Sequence, residues 1–138
     1  MSDSLLTVLL WAAAAGQVGI AILGARIAKI LKWEAAIAAM PLLVREVFLI
    51  HKFFLSYNLI LFAVLTARFA PEIAAGGNPP LRWLIGGIAL FWGIRTIFQW
   101  TFYSREHWAG KPKETAVHWT LTVIYGSWTL LYALAASR

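Results

Sequence analysis

The chain has 138 residues, 61% hydrophobic and 13% charged, with a formal net charge of +6 and no cysteine. Soluble domains carry about a quarter charged residues and under about half apolar ones, so this composition excludes an ordinary soluble protein and places the chain in a membrane. The missing cysteine excludes disulfides, thiol redox chemistry and thiolate metal sites, and the basic charge, gathered mostly in two loops, points to topology and lipid contact, not nucleic acid.

The opening "MSDSLL" carries an acid and no basic lead-in. The apolar run behind it is long enough to span, so it is expected to stay as a membrane helix instead of a cleaved signal. A span takes about 20 mostly apolar residues. Four segments qualify, at about 5–27, 44–69, 81–103 and 116–136, giving one transmembrane domain over 1–138. The expected fold is all-α, an integral membrane four-helix bundle.

In the first span Ala12/Gly16 and Ala15/Gly19 are spaced four apart, as are Ala89/Gly93 in the third. Small residues at that spacing let helix backbones approach. After the first span, "RIAKILKWEAAIAAM" (26–40) has no breaker before Pro41. Lys29 and Lys32 fall on one side and Ile30, Leu31 and Ile37 mostly on another. The reading is an interfacial amphipathic helix between spans 1 and 2, or a continuation of the first span. Pro71 and "GGNPP" (76–80) mark a tight second loop. "AGKPKET" (109–115) makes the third, with Thr115 placed to cap the last helix.

Lysine and arginine set the direction. Arg26, Lys29, Lys32 and Arg45 flank loop one, and Arg105, Lys111 and Lys113 lie in loop three. Arg68, Arg82 and Arg138 lie on the opposite side, with Asp3. The excess places loops one and three in the cytoplasm and both termini outside. The chain has the general look of a small bacterial inner-membrane protein.

Depth follows from a rise of about 1.5 Å per helical residue. Arg95 lies eight residues before Tyr103, about 12 Å into a hydrocarbon core about 30 Å thick. Gln17, Asn58 and Tyr125 fall near the same level, so one polar residue per span forms a layer with Arg95. Nearer the cytoplasm lie His51, Lys52, Gln99 and His118, with Glu46 at the mouth. Gln99 follows Arg95 by four residues and shares its helix face. The blander readings are that Lys52 snorkels to headgroups, that His118 is interfacial, that Gln17 and Asn58 join helices, and that Trp83 and Trp108 anchor the interface.

A charge mid-span is costly and ordinarily faces a partner or a wet cavity. The six acids Asp3, Glu34, Glu46, Glu72, Glu106 and Glu114 all fall in loops or at span ends. Arg95 therefore lacks an obvious acid at its depth. Its guanidinium suits bidentate capture of a carboxylate or phosphate, supplied by a ligand, a lipid or another subunit.

Four functions fit these residues. The first is a binding module, alone, as a homo-oligomer or as an accessory subunit with a membrane-protein partner. It would hold a lipid-like or anionic amphiphile, an isoprenoid or quinone included, through Arg95, Gln99, Asn58 and His51, lined by Gln17, Tyr125, Glu46, Lys52 and His118. The second is a membrane-embedded enzyme on such a substrate, with His51 as candidate acid/base. The third is a haem b subunit using His51 and His118 as ligands, with Arg95 at a propionate. The fourth is an oligomeric transporter, which the lack of an internal repeat and of a mid-membrane acid argues against. No metal-ligand cluster, Walker loop, HExxH or GxSxG motif occurs.

Overall fold

The computed structural model describes all 138 residues and is all-α, without strands. Its elements are α1 (Asp3–Ile30), α2 (Glu34–Ala38), α3 (Leu42–Ala74), α4 (Pro79–Thr101) and α5 (Pro112–Ala136), with a 3-10 turn at Arg105–His107. Four of the helices are long and apolar enough to cross a membrane, as expected of an integral membrane protein of the four-helix class. Phe53, Phe54 and Trp100 are among many large apolar side chains left exposed on them. Water would penalise so much apolar surface, whereas lipid does not.

The chain divides into two compact units, residues 10–69 and residues 1–9 with 70–138. In the first unit α1 and α3 run antiparallel, joined by three bonds to backbone carbonyls. Trp11 Nε1 donates to Ala67 at 3.1 Å, Ser56 Oγ to Ala21 at 3.2 Å, and Lys52 Nζ to Ala25 at 2.9 Å. Gly24 brings α1 close to Ser56: a Cβ there would sit 3.7 Å from Oγ.

The end of α1 explains why the 26–40 stretch is neither one long helix nor one separate helix. Lys32 adopts φ +56°. Trp33 N–H then bonds the Ala28 carbonyl, and Lys32 N–H the Lys29 carbonyl. This is a Schellman stop, with lysine where glycine is usual. The first span thus continues to Ile30, and only the five-residue α2 remains between the spans.

The second unit centres on the α4–α5 hairpin. Asn78 caps α4, its Oδ1 accepting from Leu81 N–H at 3.0 Å, and prolines occupy the first turn, where no N–H is needed. A Cβ on Gly93 would meet Thr129 Cγ2 at 3.4 Å, and one on Gly126 would meet Thr96 Cγ2 at 3.8 Å. The Ala89/Gly93 pair is therefore used against α5, whereas Gly19 of α1 has open space around it. Packing at this range replaces the hydrophobic drive that lipid removes.

Arginines close the far end of this unit. Arg82 Nε donates to the Ala136 carbonyl at 3.2 Å. Arg138 donates to the Ala74 carbonyl at 2.6 Å, the Met1 carbonyl at 2.7 Å and Asp3 Oδ1 at 2.7 Å. The carbonyls of Ala74 and Ala136 end α3 and α5 and have no intrahelical partner, so the arginines satisfy them.

Two boundary expectations are corrected. Pro71 does not end the second span. It sits inside α3, which runs on to Ala74 and stops where Gly76 takes φ +101° and Gly77 N–H bonds the Glu72 carbonyl. A proline costs a helix one hydrogen bond, and a partner for the freed carbonyl removes most of that cost. Thr115 does not cap α5, which begins at Pro112; its Oγ1 donates to the Trp108 carbonyl at 2.6 Å.

Candidate functional site

Arg95 lies six residues before the end of α4, about 9 Å along the helix axis. It is half-buried. Its guanidinium carbon lies 5.1 Å from the Tyr125 ring centroid and 5.6 Å from that of Tyr103, and one nitrogen donates to the Tyr103 hydroxyl at 3.4 Å. Two aromatic faces thus hold the cation, with no carboxylate at its depth. A cation over an aromatic ring gains about 0.5–2 kcal/mol, most when desolvated. Neither tyrosine neutralises the charge, so the guanidinium still has capacity for an anion.

Tyr125 is fixed from behind. Its ring stacks on Trp92 at 5.1 Å, and Trp92 meets Trp128 edge-on at 4.6 Å. Trp92 is fully buried. The ladder Trp128–Trp92–Tyr125–Arg95 therefore ties the charged group to the packed interior of the hairpin, which limits its rotamers.

One turn beyond Arg95, Gln99 is buried and its Nε2 lies 3.4 Å from His118 Nδ1. His118 is 5% exposed, and its ring stacks parallel on Trp108, with centroids 4.4 Å apart and planes 9° apart. Trp108 is positioned by Thr115, which bonds its carbonyl, and Arg105 lies over its ring at 5.8 Å. His118 Nε2 and Trp108 Nε1 are both buried without a hydrogen-bond partner.

The structure thus brings Arg95 to Tyr125 and Gln99 to His118, all on α4 and α5. The remaining candidates belong to the other unit. Gln17 is fully buried on α1. Asn58 is half-buried on α3. Lys52 spends its ammonium on the Ala25 carbonyl. His51 is exposed and its Nδ1 lies 2.8 Å from the Val47 carbonyl, one turn back. Glu46 is exposed on α3. No group of three or more histidine and acidic side chains is placed to hold a metal ion.

Tyr103 and Trp108 are the additions that sequence reasoning missed. Tyr103 follows Arg95 by eight residues, near enough to two turns and a quarter to reach it. Trp108 resembles an ordinary interface anchor in sequence; only the turn at Arg105–His107 folds it back onto α5.

Comparison with known proteins returns no match: no family model, no curated protein and no solved structure matches this chain.

Proposed function

We propose that this is a bacterial inner-membrane protein that binds a lipid-like amphiphile with an anionic head, alone or as a subunit of a larger membrane complex. The single observation that carries the reading is Arg95: a cation within a membrane-length helix whose contacts are two tyrosines and no carboxylate. The rings hold the guanidinium in place, and its remaining N–H groups suit a carboxylate or phosphate. The amphiphile's tail would lie along the exposed apolar flank of the hairpin, where Ile94, Ile97 and Phe98 are found.

Both termini lie outside and loops one and three in the cytoplasm in this proposal. Lys29, Lys32, Lys111 and Lys113 on the cytoplasmic side are all exposed, while on the outer side Arg138 is paired with Asp3. The free positive charge thus favours the inner side. Arg95 then approaches the ligand from the cytoplasmic leaflet.

The test is native mass spectrometry of the protein released from mild detergent. Wild type is expected to retain an acidic amphiphile that Arg95→Leu loses while remaining folded by circular dichroism. Equal retention by both proteins would overturn the site.

A further inference from the structure

Trp108 and His118 carry polar atoms that the protein itself leaves unanswered. The indole Nε1 of tryptophan is a donor only. Gln99 presents its amide nitrogen to His118 Nδ1, which makes Nδ1 the acceptor and puts the ring proton on Nε2. Both orphaned atoms are therefore N–H donors, on two parallel rings 4.4 Å apart. Leaving a buried donor unpaired forfeits the hydrogen bond it would make in water. Two in one stack are an expensive arrangement unless an acceptor is to be received there.

The acceptor's chemistry follows from the donors. Both are neutral, and burying an ionised oxygen costs far more than burying a carbonyl. The charge is better met by Arg95. His118 lies six residues into α5 and Arg95 six residues before the end of α4. Both lie at the loop end of the hairpin, but the helices are offset. Arg95 is level with Tyr125, and His118, seven residues before Tyr125, is level with Gln99, so the stack lies one to two turns, about 6–10 Å, nearer the loop than Arg95. Gln99, one turn from Arg95 and in contact with His118, links the two.

We infer that the Trp108–His118 stack is a second binding point, taking an uncharged carbonyl oxygen of the same amphiphile whose acidic group Arg95 holds. This rests on the ligand class proposed above but on separate residues. The ligand class becomes narrower: an acidic amphiphile with an ester or keto carbonyl beside its head.

The test uses the whole protein in micelles, with indole nitrogens labelled and the Trp108 signal assigned by its loss in Trp108→Phe. The probes are dihexanoyl phosphatidic acid, its dihexyl ether analogue without carbonyls, and a neutral decyl-benzoquinone. The diester and the quinone are expected to shift the Trp108 indole N–H signal, and the diether to leave it in place. His118→Phe, which retains a ring in the stack, is expected to weaken diester binding about tenfold, the effect of one lost hydrogen bond, and to leave diether binding unchanged. Arg95→Leu is expected to weaken both phosphate probes and spare the quinone. If diester and diether bind alike and the Trp108 signal stays still in all three titrations, the carbonyl point is overturned, while loss of both phosphates in Arg95→Leu would leave the anion site standing. If the Trp108 signal moves but Arg95→Leu binds the phosphates normally, the anion site falls and the carbonyl point stands. The ester and ether comparison needs no variant, so a misfolded His118→Phe would not blunt it.

Discussion

Trp11 Nε1 donates to the carbonyl of Ala67, the one carbonyl in α3 that Pro71, four residues on, has no N–H to satisfy. The proline inside a span is thereby made tolerable, since lipid offers no other donor. Trp11→Phe is expected to cost about 1–3 kcal/mol. In a Pro71→Ala background the helix regains its own N–H and the same change should cost distinctly less. A four-variant unfolding cycle in micelles measures this, and simple additivity would show the two sites to be uncoupled.

The rings around Arg95 lead to a graded prediction. Tyr125→Phe keeps the aromatic face and should cost less than Tyr125→Leu. Tyr125→Leu removes it and should cost about 1–2 kcal/mol, together with bound amphiphile. Arg95→Lys keeps the charge but loses the planar fork, so ligand retention should fall below wild type yet stay above Arg95→Leu. Thermal denaturation and native mass spectrometry on the four proteins read both effects; equal behaviour of the two Tyr125 variants would count against the ring contact.

Lys32 pays a backbone cost of about 1 kcal/mol for its positive φ. Lys32→Gly should therefore stabilise the protein by about that amount, and Lys32→Ala should not. Denaturant titration in micelles decides between them, and equal midpoints would mean that the turn is not limiting.

Orientation is tested most simply because the chain has no native cysteine. A cysteine at Ala109 in the third loop should resist a membrane-impermeant maleimide in intact cells and react after permeabilisation. One at Ala75, in the second loop, should react at once. Labelling in the reverse order would invert the topology.

Much of the fold was legible because long apolar runs, prolines and glycines act locally. Gly76, Gly77, Pro79 and Pro80 mark a break by rules that need only neighbouring residues, and α3 and α4 part there, although α4 already begins at Pro79 and not after the prolines. Pro71 misled because its effect depends on a carbonyl acceptor's remote donor, Trp11, which lies 56 residues away. Thr115 misled because Pro112 can open a helix with no side-chain cap. Arg95 was conspicuous, as a charge among apolar residues always is. Its true neighbours were not, because aromatic residues are common in membrane chains and neither Tyr103 nor Tyr125 differs in sequence from a core or interface ring. The Trp108–His118 stack was hidden for a further reason: a tight turn, not a periodic pattern, creates it.

The Asp3–Arg138 ion pair closes a loop of 135 residues. Loop-closure entropy grows with the logarithm of length, so this contact is among the last to become favourable as the chain organises. Interactions absent from the folding transition state act on the rate of unfolding, not of folding. Arg138, which also holds the end of α3, is thus a latch in time: its loss would leave assembly at its usual speed and let the finished protein come apart sooner.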